Sequence, residues 1–237
     1  MNLKTSFVMI GLTKITKDGI FMNRKSKIYF FIGIGNLVAF LVWTLLLGVV
    51  DVCPIGPGGS QVGFATLNGF FHELTGANFT LYVITDWLGL VPIFVALCFA
   101  IVGLVQWIKR KSILKVDYDI LALGVFYTFV IGVYVLFEFV VINRRPVLID
   151  GYLEASYPSS TTVLVMCVMI TALVQVNARV SGKIKRRILQ ATLIAFISFM
   201  VIGRLISGVH WLSDIVGGVL VSVGLVCLYK FSLYMRS

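Results

Sequence analysis

The sequence predicts an all-α fold, a six-transmembrane-helix bundle with a short interfacial helix in the first outer loop, and two observations carry that prediction. Hydrophobic residues make up 59% of the chain and charged residues 13%, with a mean hydropathy of +1.01, values foreign to a chain that folds in water. The apolar residues also gather into six runs, and crossing a hydrocarbon core of about 30 Å takes about 20 helical residues.

In chain order, residues 1–27 form a basic N-terminal arm with Lys4, Lys14, Lys17, Arg24, Lys25 and Lys27, and residues 28–237 form a single membrane domain. The run 28–50 exceeds a signal-peptide core and no small-residue cleavage pattern follows it, so it is expected to stay as the first span. Residues 51–85 form a long outer loop. Pro54, Pro57 and the glycines Gly56, Gly58 and Gly59 predict a turn, and Phe64 to Leu74 carry an apolar face at helical spacing, expected to lie in the interface as a cap or substrate-access rim. A phosphate cradle of the Walker type lacks its Gly-Lys-Ser/Thr. The remaining spans are 86–107, 119–141, 161–177, 188–206 and 214–235. No internal repeat or low-complexity segment interrupts them.

Charge sets the orientation, because cytoplasmic loops keep Lys and Arg. Of the 20 basic residues, only Arg144, Arg145 and Arg204 fall on the face opposite the termini. Both termini are therefore expected in the cytoplasm, in a multi-pass protein of the cell membrane. A net charge of +10 is a feature of nucleic-acid binders, but the basic residues sit in short clusters between apolar runs, so no nucleic-acid partner is expected. Cys98, Cys167 and Cys227 lie within spans and Cys53 is alone in a loop, which predicts neither a disulfide nor a thiolate metal site.

The same census locates a site. Three arginines defy the topological rule beside His210 and Asp214, and charge near membrane depth is costly unless paired, hydrated or functional. In the segment Gly203–Asp214, His210 and Asp214 are four residues apart, a spacing at which the carboxylate can hold the imidazole in one tautomer. That is the arrangement of an activated histidine nucleophile. Arg204 can offer a fork of donors to phosphate oxygens. The plainer alternative is a structural polar cluster bridging two helix ends.

Arg204, His210 and Asp214, at these intervals, also match the third motif of the type 2 phosphatidic acid phosphatase family. Arg145-Pro146 resembles the end of its first motif, and Tyr157-Pro158-Ser159-Ser160-Thr161 resembles the second. The resemblance covers most of the chain, with its specific motifs in 138–214. It implies a two-step reaction in which His210 attacks phosphorus to form a phosphohistidine that water hydrolyses. Asp214 would orient His210, and Arg145, Arg204, Ser159 and nearby amides would hold the equatorial oxygens. No metal or cofactor is implied; the expected partners are a phosphorylated lipid and the bilayer. Oligomeric state is not legible.

Two positions depart from the family pattern. Glu138 stands where the first motif begins with Lys, and seven residues return to nearly the same helix face, so Glu138 is expected to pair with Arg144 or Arg145. Arg144 would partly replace the lysine. Thr161 stands where the second motif has the histidine that protonates the leaving oxygen, a loss on the order of 10² to 10⁴-fold by general-acid precedent. His72, Glu154, Asp150 and Glu138 are the alternative acids. The expected substrate set is thus Ser159, Ser160, Thr161, Arg144 and Glu138. The expected function is hydrolysis of a lipid phosphate or, better, a lipid diphosphate, whose leaving phosphate needs little protonation. A catalytically impaired lipid-phosphate binding or transport protein and a phosphotransferase using an acceptor alcohol are the alternatives. The aromatic residues Trp87, Phe137, Phe139 and Trp211 fit a membrane belt, packing or chain selection equally.

Overall fold

A computed structural model of the chain describes residues 22–236. Lys4, Lys14 and Lys17 of the basic arm lie outside the described residues, and the arm's last residues are already helical. The helices are α1 (Arg24–Leu47), α2 (Ala65–Thr75), α3 (Phe79–Leu88), α4 (Leu90–Arg110), α5 (Tyr118–Phe139), α6 (Ser160–Arg179), α7 (Lys183–Ile206) and α8 (Leu212–Arg236). Among the described residues no strand forms; three isolated bridges tie loops together. Six segments are long and apolar enough to cross a membrane, with α3 and α4 together forming the second.

Helix α1 starts where the Asn23 side chain accepts from the Ser26 amide at 2.8 Å, satisfying one of the donors that a helix N-terminus leaves free. The second span begins earlier than expected, at Phe79. Asn78 caps it through the Leu81 amide at 2.9 Å, and the polar residues Thr80, Thr85 and Asp86, which lower the local hydropathy, lie inside the helix. The span is broken at Gly89. Pro92, in the first turn of α4, has no N–H to give the carbonyl four residues back. The interfacial helix expected over 64–74 appears as α2.

Helices α6 and α8 are the most buried spans. Against them stand α1, which packs chiefly along α8, and then α7, α4 and α5. Small residues let membrane helices approach: a Cβ on Gly224 of α8 would lie 2.7 Å from Leu37 Cδ2 and 3.2 Å from the Gly33 carbonyl oxygen of α1. At the end far from His210, Asp117 takes Arg110 at 2.7 Å and Arg179 at 3.3 Å, while Arg179 also reaches Asp119 at 2.7 Å. Two arginines expected only as topological charge therefore also join the α4–α5 turn to α6.

Candidate active site

The loop between α7 and α8 carries His210. Its entry is fixed by backbone: the Asn78 amide donates to the Ser207 carbonyl at 2.9 Å. Gly208 follows at φ 64°, where a Cβ would overlap the Gly76 carbonyl. Only glycine takes that conformation at that distance without strain. The α7–α8 loop is thereby pinned to the α2–α3 loop.

His210 and Asp214 do not share a helical face, because His210 lies before α8 begins. Asp214 instead folds back as the third residue of α8, and its Oδ2 accepts from the Trp211 amide at 2.9 Å, as an acidic residue does in a capping box. Its Oδ1 accepts from Asn143 Nδ2 at 3.1 Å. The carboxylate, fully buried, is held by these bonds with Oδ2 3.7 Å from His210 Nδ1. That is too long for a hydrogen bond but close enough to stabilise charge on the ring.

Two guanidinium groups face the other side of the imidazole. Arg145 Nη1 and Arg204 Nη2 each lie 3.4 Å from His210 Nε2. Guanidinium N–H groups only donate, so Nε2 is the acceptor nitrogen and the ring proton sits on Nδ1, toward Asp214. Burial, then the Arg145 and Arg204 cations, push the imidazole well below the ordinary histidine range, with the Ser156 carbonyl opposing. The ring is neutral, and its free lone pair points between two cations.

Each arginine is anchored on its far edge. Arg145 Nε pairs with Glu154 Oε2 at 2.9 Å. Arg204, 1% exposed, turns Nη1 to Thr85 Oγ1 at 3.4 Å and Asp86 Oδ1 at 3.5 Å. Both guanidiniums lie over the Tyr82 ring, at 5.9 and 5.0 Å from its centroid, a cation–π arrangement. Arg204 Nε is buried with no hydrogen-bond partner. A buried donor without a partner costs free energy. An open cavity of about 670 Å³ reaches the neighbouring Arg145 and His210, while Arg204 itself is not on its wall.

That cavity is lined by Glu138, Arg145, Ser160, Thr161 and His210 at its polar end and by apolar residues of α4, α5 and α6 beyond. The structure thus brings Arg145, Arg204, His210 and Asp214 together and sets Glu138, Ser160 and Thr161 on the cavity wall. Ser159 does not line the cavity, although its amide donates to the Asp214 carbonyl at 3.1 Å. It is the N-cap of α6, fully buried, with its Oγ accepting from Thr162 Oγ1 at 3.1 Å. Arg144 also does not line the cavity: it donates to the Leu153 carbonyl at 2.9 Å, and its own carbonyl accepts from Trp211 Nε1 at 2.7 Å. The expected pairing of Glu138 with Arg144 or Arg145 does not form. Helix α5 ends at Phe139, so Glu138 and Arg145 share no helix face, and Glu154 takes the partner's place. His72 packs edge-on against Trp211 at 5.5 Å and stays off the cavity wall; burial lowers its pKa while Glu73 opposes.

Asn143, Tyr82, Thr85 and Asp86 belong to the site and escape the sequence reading. Asp86 had a signal, as an acidic residue at the end of a span opposite three unpaired arginines. The others are neutral residues whose role exists only through partners distant in the chain.

A crystal structure described as the first transmembrane PAP2 type phosphatidylglycerolphosphate phosphatase from Bacillus subtilis is similar to 87% of this chain and 96% of its own, with a TM-score of 0.58 at 18% identity. At that identity the likeness is one of fold. The curated proteins give no match. Fold and apolar spans define a multi-pass membrane protein. The family profile described as PAP2 superfamily matches residues 120–236, which contain Arg145, Thr161, Arg204, His210 and Asp214. The chain belongs to the PAP2 superfamily, the membrane phosphatase family that its motifs resemble.

Proposed function

We propose that the chain is a phosphatase that hydrolyses a lipid phosphate, by preference a lipid diphosphate, at the extracytoplasmic face of the cell membrane, with both termini in the cytoplasm. The observation that carries this reading is the neutral His210 Nε2 flanked at 3.4 Å by two arginine donors. Positive-inside charge supports the orientation.

In the first step Nε2 attacks phosphorus and the bond from phosphorus to the leaving oxygen breaks. The ring gains positive charge while keeping its Nδ1 proton, and Asp214 stabilises that charge. Arg145 and Arg204 hold the phosphoryl oxygens in the transition state, where such donors are worth most. Water then attacks phosphorus, the N–P bond breaks, and phosphate leaves with His210 again neutral. Thr161 supports the preference for diphosphates. Its hydroxyl cannot readily release a proton near neutral pH, and a phosphate leaving group is far less basic than a lipid alkoxide.

Thr161 also favours a second reading, a protein that binds or carries phosphorylated lipid without turnover. Phosphate release from a panel of lipid mono- and diphosphates, with His210→Ala as control, tests both. Release that depends on His210 and is faster from diphosphates supports the first reading. Tight binding with no phosphohistidine trapped on His210 supports the second.

A further inference from the structure

Helix α5 turns one stripe to the cavity beside His210: Tyr127, Ile131, Tyr134 and Glu138 line it at intervals of four, three and four residues, the spacing of a single helical face. Glu138, the penultimate residue of α5, is the polar end of that stripe, on the same cavity as Arg145, Thr161 and His210. The end of α5 is fixed by Phe137, whose ring lies edge-on 5.6 Å from those of both Phe40 and Tyr157. Among the described residues only Asp86 and Glu138 bring a carboxylate to the cavity wall. Asp86 is held by Arg204 at 3.5 Å. Glu138 has neither an ion pair nor a hydrogen bond. The other carboxylates beside the site are engaged, Glu154 with Arg145 Nε and Asp214 with Asn143 and the Trp211 amide, and neither lines the cavity. An unpaired carboxylate at the end of a membrane span is costly and points to function.

Resting on the reading of His210 as the nucleophile of a lipid-diphosphate phosphatase, we propose that Glu138 is the general base of the second step, the hydrolysis of phosphohistidine. The two steps need different help. When a diphosphate reacts, the departing phosphate carries the charge itself and needs little protonation. Water, by contrast, must lose a proton as it attacks phosphorus. His210 cannot take that proton, because its Nε2 is bonded to phosphorus and its Nδ1 already carries hydrogen. The Thr161 hydroxyl is a poor base, whereas a carboxylate only accepts. An O–H bond of water breaks and its proton passes to a Glu138 oxygen. As the new O–P bond forms, the N–P bond breaks with its electron pair returning to Nε2, and inorganic phosphate leaves. Glu138, exposed at the end of α5, then gives the proton to solvent. Because Glu154 takes Arg145, Glu138 is left free for this task.

The test follows the full chain in proteoliposomes with farnesyl diphosphate labelled at its terminal phosphorus, in single turnovers stopped with alkali, which preserves phosphohistidine. Glu138→Gln keeps the side-chain shape and removes the base. Label should reach His210 within a fewfold of the wild-type rate, while its loss as phosphate slows by about 10² or more, the lower range for general acid–base catalysis. Phosphoprotein then accumulates. Formate added to Glu138→Ala should restore dephosphorylation in proportion to its concentration, since a small carboxylate can occupy the space left by the side chain. Asp86→Asn is the comparison: it loosens Arg204 and should slow formation of phosphohistidine more than its breakdown. Binding of farnesyl diphosphate certifies the fold of each variant. Dephosphorylation of Glu138→Gln at the wild-type rate overturns the role of Glu138 and leaves the phosphatase reading standing. A Glu138→Gln protein that binds the diphosphate but takes no label also overturns it, by placing Glu138 in the first step. Absence of both label and phosphate release in wild type sinks the phosphatase reading itself, and the base with it.

Discussion

Asn143 holds Asp214: its Nδ2 donates to Oδ1 at 3.1 Å from the loop that follows α5, leaving Oδ2 turned toward His210. The same amide lies 3.2 Å from Ser213 Oγ, which also takes Asn68 Nδ2 at 2.9 Å. Asn143→Leu removes this anchor and strands a buried carboxylate oxygen. A hydrogen bond to a charged group is worth about 1.5 to 3 kcal/mol, so kcat should fall on the order of tenfold or more. KM should change little, since Asn143 touches no substrate. A variant whose KM rises while kcat holds would place Asn143 in binding instead.

The depressed proton affinity of His210 fixes the sign of the pH response. The proposed attack by Nε2 needs the neutral ring, and in the free protein the ring stays neutral below the ordinary histidine pKa of about 6.5. The acid limb of kcat/KM, which reports the free enzyme, should therefore lie below that value. Stability has its own consequence. The unfolded chain takes a proton on this histidine near pH 6.5 while the folded chain does not, so the unfolded state binds more protons below that pH. The contribution of His210 to stability is full above the unfolded pKa and declines as pH falls toward the folded one. Thermal unfolding of wild type and His210→Gln from neutral to mildly acid pH should show the steeper decline in wild type.

Arg204 uses two nitrogens at once, one toward His210 Nε2 and one toward Thr85 and Asp86. Lysine presents a single compact ammonium and has no fork to share between them. Arg204→Lys should lower kcat/KM by about 10² to 10³, the loss typical of one transition-state donor, although formal charge is kept. Activity within a fewfold of wild type would mean that charge alone suffices.

Thr161 lies half-buried on the cavity wall in the first turn of α6. If a missing proton donor is what disfavours alkoxide departure, Thr161→His should raise monophosphate hydrolysis by about 10-fold or more relative to diphosphate hydrolysis. An unchanged ratio between the two substrates would detach leaving-group preference from this residue.

The apolar runs made the spans legible because lipid imposes one demand on every crossing segment. That rule fell short at the second span, where Thr80 and Thr85 lower the hydropathy of the first turns and Thr85 bonds Arg204. Arg145 and Arg204 were legible as exceptions to the charge rule. Asn143 and Tyr82 were not, because an amide or an aromatic ring acquires a role only through its partner, and Asn143 meets Asp214 from 71 residues away. Ser159 is ambiguous for a related reason: serine before a helix serves equally as cap or ligand, and here its Oγ accepts from Thr162.

The close packing of α1 on α8, with Gly33 and Gly224 at the contact, bears on biogenesis. Chains emerge N-terminus first, so the span inserted first waits for its main partner until the last one leaves the ribosome. Asp214 belongs to that same last helix. Completion of the bundle and assembly of the histidine–carboxylate pair are thus a single late event, and a ribosome-bound chain still lacking α8 has the arginines and His210 without Asp214.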